Sequence, residues 1–194
     1  MKIIIVNGKG GSGKDTFEEY FRDIAEICEN TVYKTSMVRA VKSIAQICGW
    51  QGGKDDKDRK FLSDLKMLLD DYNDFAFESV VNDILRAEKE HYDYIFIDAR
   101  EPKDIDRLKD MSLNCYTVLI TRKETTNKVY GNDADDCVFD YNYDYVIPNN
   151  STLDEFKESA ETFFEIIDSK EELIDGTEDW ICYTRRIGHQ WFIK

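Results

Sequence analysis

Near its start the chain carries Gly8-Lys9-Gly10-Gly11-Ser12-Gly13-Lys14-Asp15-Thr16, a run with the composition of an anion cradle. Glycines at 8, 10, 11 and 13 let consecutive backbone amides turn inward, with Ser12 among them, and a helix starting here adds its positive dipole end. Lys14 supplies a charge on a long stem, placed to reach the outer phosphates of a nucleoside triphosphate. Asp15 stands where such loops more often carry Ser or Thr, and Thr16 follows one place later. Two roles fit Asp15: it holds a divalent metal or that metal's water shell, or it caps the helix N-terminus.

A second acidic residue, Asp98, ends the apolar run Tyr94-Ile95-Phe96-Ile97. If that run is a parallel strand, Asp98 lies at the carboxyl edge of the sheet beside the loop, where an acid helps to hold magnesium. The alternative is a strand-ending Asp that caps the next helix. Asp15, Thr16 and Asp98 are thus the candidate metal set. Arg100 follows two residues later, with its guanidinium suited to a phosphate. Arg39 and Lys42 fall one turn apart on one helix face, Arg59 opens a long helical pattern, and Arg122 follows another apolar run. Each alone reads as a solvated surface charge. Together they suit a transfer between two phosphorylated ligands, because phosphoryl transfer relies on fixed cations and in-line positioning.

The elements that must position these residues follow from apolar spacing. Ile3 to Val6 is a short, wholly apolar run that suits a buried parallel strand, and Thr31 to Ser36, Tyr94 to Ile97, Cys115 to Thr121 and Asp144 to Ile147 are further strand candidates. Phe17, Tyr20, Phe21, Ile24 and Cys28 mark one helix face, Val38, Val41, Ile44, Ala45 and Cys48 the next. Gly49 to Asp58 reads as a loop. Two helical patterns then follow with no strand between them: Phe61, Leu62, Leu65, Leu68, Leu69 and Tyr72, then Phe77, Val80, Val81, Ile84 and Leu85. A last helix shows Leu153, Phe156, Ala160, Phe163, Phe164 and Ile167. Strands alternating with helices predict an α/β fold, a parallel β-sheet flanked by helices. The polar stretch from Arg122 to Asp140 reads as a lid or as an irregular loop. Trp180, Cys182, Trp191 and Ile193 fall at the spacing of a C-terminal β-hairpin.

Composition sets the bounds. The chain has 194 residues, with 26 Lys and Arg against 40 Asp and Glu, a net charge of −14. That length holds one α/β domain, and the charge argues against a nucleic-acid partner, whose binding needs clustered cations. No apolar run is long enough to span a bilayer, and none reads as a signal peptide, so no membrane partner is expected and a cytoplasmic location is. Five cysteines without a CxxC pair read as reduced thiols, and two histidines leave little for a zinc site.

The GSGKDT form of the loop, the stretch VRAVKSIAQICGW with Lys42, the stretch DRKFLSDLK from Asp58 to Lys66, and IDAREPKDI from Ile97 to Ile105 resemble the deoxynucleoside monophosphate kinases of tailed bacteriophages and their bacterial relatives. The resemblance implies a P-loop NTPase/nucleotide kinase fold with a helical acceptor-binding insertion at about 37–90, a lid-like segment at about 122–140, and a C-terminal extension at 171–194 beyond a kinase domain at 1–170. It implies ATP and Mg²⁺ as donor, small-molecule nucleotide substrates, and a (deoxy)nucleoside monophosphate as acceptor. On that basis Lys14 and Thr16 handle the ATP phosphates, with Arg122 nearby, while Arg59 and Arg100, joined by Arg39 and Lys42, hold the acceptor. Lys14, Asp98 and Arg100 are then the catalytic set, and a homodimer is a candidate assembly. The chain departs from the family pattern at Glu101, where the family carries Phe. Animal phosphomevalonate kinase has a similar SGKD loop, so a non-nucleotide acceptor is the alternative. A nucleotide-binding protein without turnover is another.

Overall fold

All five apolar runs are strands: β1 (Lys2–Asn7), β2 (Val32–Ser36), β3 (Tyr94–Asp98), β4 (Cys115–Thr121) and β5 (Tyr145–Pro148). In the computed structural model, which describes residues 1–53, 55–126 and 137–170, they form one parallel sheet in the order β2-β3-β1-β4-β5. The helices are α1 (Lys14–Ile27), α2 (Arg39–Ile47), α3 (Asp56–Asn73), α4 (Phe75–Lys89), α5 (Pro102–Met111), α6 (Lys123–Thr126) and α7 (Leu153–Ser169). This is the flanked parallel sheet that the alternation of patterns predicts.

The central strand explains the layering. Successive side chains of a strand point to opposite faces. Ile4 and Val6 therefore meet Phe17 and Phe21 of α1 and Phe156, Phe163 and Phe164 of α7, while Ile3 and Ile5 meet residues of α2, α4 and α5. Phe21 lies at the middle of the first face, with ring centroids 4.9 Å from Phe96, 5.2 Å from Tyr94 and 5.3 Å from Phe164. Each such buried ring contributes about 1.5–3 kcal/mol through removal from water. After β1 the chain moves to one side of the sheet, and after β3 it crosses to the other, so the order reverses at β1. In such sheets the crevice for ligands opens at the carboxyl ends of the strands beside that reversal.

Three local readings change. The segment read as a loop from Gly49 to Asp58 stops earlier, because the Asp55 carboxylate accepts from the backbone N–H of Asp58 at 2.8 Å and starts α3 at Asp56. The predicted apolar face of α3 is mostly open: Leu68 is 67% and Tyr72 86% exposed, and Leu65 and Leu69 alone pack against the core from that helix. Its one fully buried residue is Lys66, so a charge cluster, not an apolar seam, holds α3 in place. In α4, Leu85 is exposed and Asp83 is buried instead. No described helix is long and apolar enough to cross a membrane. Of the described cysteines, Cys28, Cys48 and Cys115 are free thiols. The C-terminal hairpin and the middle of the lid-like segment lie outside the described residues.

Candidate active site

The phosphate loop joins β1 to α1, and its shape needs glycine at two points. Gly8 has φ 151°, and a Cβ there would come within 2.5 Å of the Ile120 carbonyl oxygen. Gly13, at φ 103°, begins α1 in the left-handed region with no side-chain cap, so the first helical N–H groups keep their donor capacity for an anion. The loop is braced from outside its own sequence. Buried Asn7 accepts from Gly8 N through Oδ1 at 2.8 Å, and its Nδ2 donates to the Arg100 carbonyl at 3.2 Å. Asn149, after β5, donates from Nδ2 to the Ser12 carbonyl at 2.9 Å. Lys14 Nζ donates to the carbonyl oxygens of Gly8 at 2.6 Å and Lys9 at 3.4 Å, folding back over the loop.

Beside Lys14, the carboxylates of Asp15, Glu18 and Asp98 converge, each offering an oxygen within 4.8 Å of the others. Helical spacing puts Asp15 and Glu18 on one side of α1, and strand register sets Asp98 opposite Val6 of β1 and Ser36 of β2. The ammonium of Lys34, from β2, lies among them. It donates to Asp15 Oδ1 at 2.8 Å, sits against Glu18 Oε2, and is 4.0 Å from Asp98 Oδ2. The Glu18 contact is a close ion pair without hydrogen-bond alignment. Both Glu18 oxygens and Asp98 Oδ1 therefore lack an aligned donor among the described residues.

Burial sets the electrostatics. It pushes the Glu18 carboxyl up to about 7, with the neighbouring Asp98 adding to the effect and Lys34 opposing it. Burial likewise raises Asp98, against the pull of Lys14 and Lys34. A quarter of the Asp98 side chain reaches solvent while Oδ1 is sealed. Lys34 is held above the ordinary lysine value: burial alone would lower it, but its hydrogen bond to Asp15 and its ion pair with Glu18 prevail. Three convergent carboxylates with orphaned buried oxygens fit a hard divalent cation such as Mg²⁺.

Lys14, Asp15 and Asp98 open onto a crevice of about 370 Å³, a size that suits a small organic ligand. Its walls bring the predicted residues Gly10, Gly11, Lys14, Asp15 and Asp98 together with Lys42, Arg59 and Arg100. Six other predicted residues do not line it, Gly8 and Gly13 of the loop among them. Arg39 turns to α4, where its Nε donates to Asp83 Oδ2 at 3.0 Å and its Nη2 pairs with Oδ1; the buried Asp83 claims it and keeps it out of the crevice. Arg122 pairs with Glu124 within its own turn. Thr16 is half-buried in the first turn of α1, and Ser12 is buried beneath the loop. Neither Thr16 nor Ser12 lines the crevice. Asp98 does not cap a helix, since α5 starts at Pro102 with Glu101 as its N-cap residue. Asp15 does not cap α1, because its carboxylate faces Lys34.

A larger hollow of about 1000 Å³ adjoins the crevice between α3 and α5. It is lined by eight carboxylates, with Arg59, Lys60, Lys66 and Lys103 among them, and by none of the loop residues. The two share Lys66, which contacts Asp70 at 2.9 Å, Glu101 at 3.0 Å and Asp104 at 3.2 Å. Sequence reasoning missed Glu18, Lys34, Lys66, Asn149 and Trp50. Trp50 lines the crevice with its indole N–H buried and without a partner among the described residues. The one signal for Glu18 was an acid close to the apolar face of α1. Nothing local marks Lys34, whose partners come from α1 and β3.

No protein-family model matches the chain, and no curated protein matches it. Among solved structures it is similar to an unliganded sugar kinase from Janibacter sp. HTCC2649, at 18% identity and TM-score 0.48, over 86% of this chain and 95% of that one. It is also similar to thymidylate kinase from Ehrlichia chaffeensis, at 16% identity and TM-score 0.46, over 84% and 97%. At that level of likeness neither speaks to what this chain binds.

Proposed function

We propose that the protein is an ATP-dependent phosphotransferase that moves the γ-phosphoryl group of ATP onto a (deoxy)nucleoside monophosphate, giving ADP and the diphosphate. One observation carries the reading: the phosphate loop with Lys14 and Asp98 shares a single crevice with Lys42, Arg59 and Arg100. Two sets of phosphate-binding groups in one crevice suit two phosphorylated ligands held in line. The loop amides and Lys14 hold the outer phosphates of the donor. Arg59 and Arg100 hold the acceptor phosphate, one of whose oxygens attacks the γ-phosphorus as the bond to the bridging oxygen of ADP breaks. Charge spreads over the equatorial oxygens, so fixed cations carry the rate and no covalent enzyme intermediate is needed. Asp15, Glu18 and Asp98 would hold Mg²⁺, which supplies charge neutralisation between the β- and γ-phosphates when bound. The Trp50 indole in the same crevice suits a flat base, which favours a nucleotide over an aliphatic acceptor.

The test is ADP release from ATP and Mg²⁺ with each common ribo- and deoxyribonucleoside monophosphate in turn. Turnover that depends on one or a few of them is the expected result. In Arg100→Ala and Arg59→Ala that turnover should fall about 100-fold while ATP binding is retained. ATP binding with no acceptor-dependent turnover in the unaltered protein would reject the kinase reading in favour of a binding role.

A further inference from the structure

We propose that Lys34 is a tethered counter-ion whose ammonium holds the place of the divalent cation among Asp15, Glu18 and Asp98, so that metal enters this site together with nucleotide rather than before it. The inference rests on reading the crevice as a metal–nucleotide site.

Three observations carry it. The first is position: the carboxylate oxygens stand at metal-ligating separation, and the ammonium lies at 2.8 Å from Asp15, against Glu18 and 4.0 Å from Asp98. The second is incomplete satisfaction. Glu18 has a side chain only 2% exposed, and it points two oxygens without aligned donors into a cluster that one ammonium cannot serve. A carboxylate buried on the packed side of α1 contributes nothing to the core and is costly to hold there without a stronger cation. The third is charge. Among the described residues Lys34 is the one ammonium in contact with all three carboxylates, and a doubly charged ion, with more coordination directions than an ammonium, serves their oxygens better.

The ammonium is also able to leave. Its side chain is 35% exposed, and a four-carbon stem lets the head group swing to water without disturbing β2. A resident competitor lowers apparent affinity by the fraction of molecules in which the site is clear. Free metal ions therefore meet a filled seat. A metal–nucleotide complex brings the additional binding energy of the loop and Lys14, and that is what displaces Lys34.

Manganese titration followed by electron paramagnetic resonance, without nucleotide, tests this on the full chain and on Lys34→Met, with Lys60→Met as a surface-charge control. Lys34→Met should bind Mn²⁺ roughly tenfold more tightly than the unaltered protein, and Lys60→Met should not change, since removal of the competitor clears the seat. Equal affinity in Lys34→Met and the unaltered protein would overturn the proposal. Should Lys34→Met fail to fold, reductive methylation of the unaltered protein, read residue by residue by mass spectrometry, decides instead. The Lys34 amine should label several-fold faster with Mg²⁺ and a non-hydrolysable ATP analogue than without them, and an equal or slower rate overturns displacement. Failure of the kinase reading is separate: it appears as absent acceptor turnover, whereas the manganese titration needs neither acceptor nor catalysis.

Discussion

Lys34 and Lys66 each gather three carboxylates beside the same crevice, yet the two clusters are built for different ends. Lys66 is buried, and its three contacts at 2.9, 3.0 and 3.2 Å tie α3 to the start of α5. Burial alone would lower its pKa, but the hydrogen bond it donates to Asp70 and the charges of Asp104 and Glu101 hold it above the ordinary lysine value. Lys34 is half-open, its farthest partner is 4.0 Å away, and orphaned oxygens remain around it. The first cluster is closed and structural. The second leaves binding capacity unused at the mouth of a phosphate loop. Buried charge locks an element in place when its partners are saturated, and it marks a site when they are not.

The comparison is open to four perturbations, from the largest effect to the smallest. Lys66→Met should destabilise the fold by about 3–5 kcal/mol in urea unfolding, because it leaves the buried Asp104 without a counter-ion. The comparison breaks if that variant unfolds like the parent.

Glu18→Gln tests the other cluster through pH. The Glu18 carboxyl is raised from 4.5 to about 7, so between those values the unfolded chain has lost its proton while the folded protein keeps it. The folded state then binds more protons, and stability falls as pH rises through that window. The contribution is about 3 kcal/mol at most and is fully lost above about pH 7. Glu18→Gln should flatten this part of the stability curve when unfolding is compared at about pH 5 and pH 8. An unchanged slope would show that Glu18 is not the group responsible.

Lys34→Met should cost only about 1–2 kcal/mol by the same unfolding measurement, since the pair is partly solvated and Glu18 escapes by taking up a proton. A loss equal to that of Lys66→Met would mean that both lysines are structural. Arg39→Ala is the smallest, at about 1 kcal/mol or less, because the Arg39 side chain is half exposed. Its acceptor turnover should match the parent, and a loss of turnover would return Arg39 to the crevice.

How much was legible can be followed along individual residues. Lys14 and Asp15 were readable because a phosphate loop is local: glycines, lysine and the helix start lie within a few positions. Asp98 and Arg100 were readable because a strand-ending acid falls at a sheet edge whatever its neighbours are. Arg39 was misplaced because its partner, Asp83, is 44 residues away and buried on a helix whose apolar spacing gave no hint of it. The α3 face was misread for a related reason. Its leucines repeat at helical spacing, but Lys66 and not the leucine row faces the neighbouring carboxylates.

The sequence by itself determined the five strands, their parallel sheet and the glycine-rich loop between the first strand and the first helix, since all depend on short-range pattern and backbone chemistry. Only the tertiary structure decided which charges meet. Strand register set Asp98 beside Ser36, and the packing of α1 over the sheet brought Asp15 and Glu18 to Lys34. Electrostatic partnership falls off over a few ångströms of space and takes no account of distance along the chain.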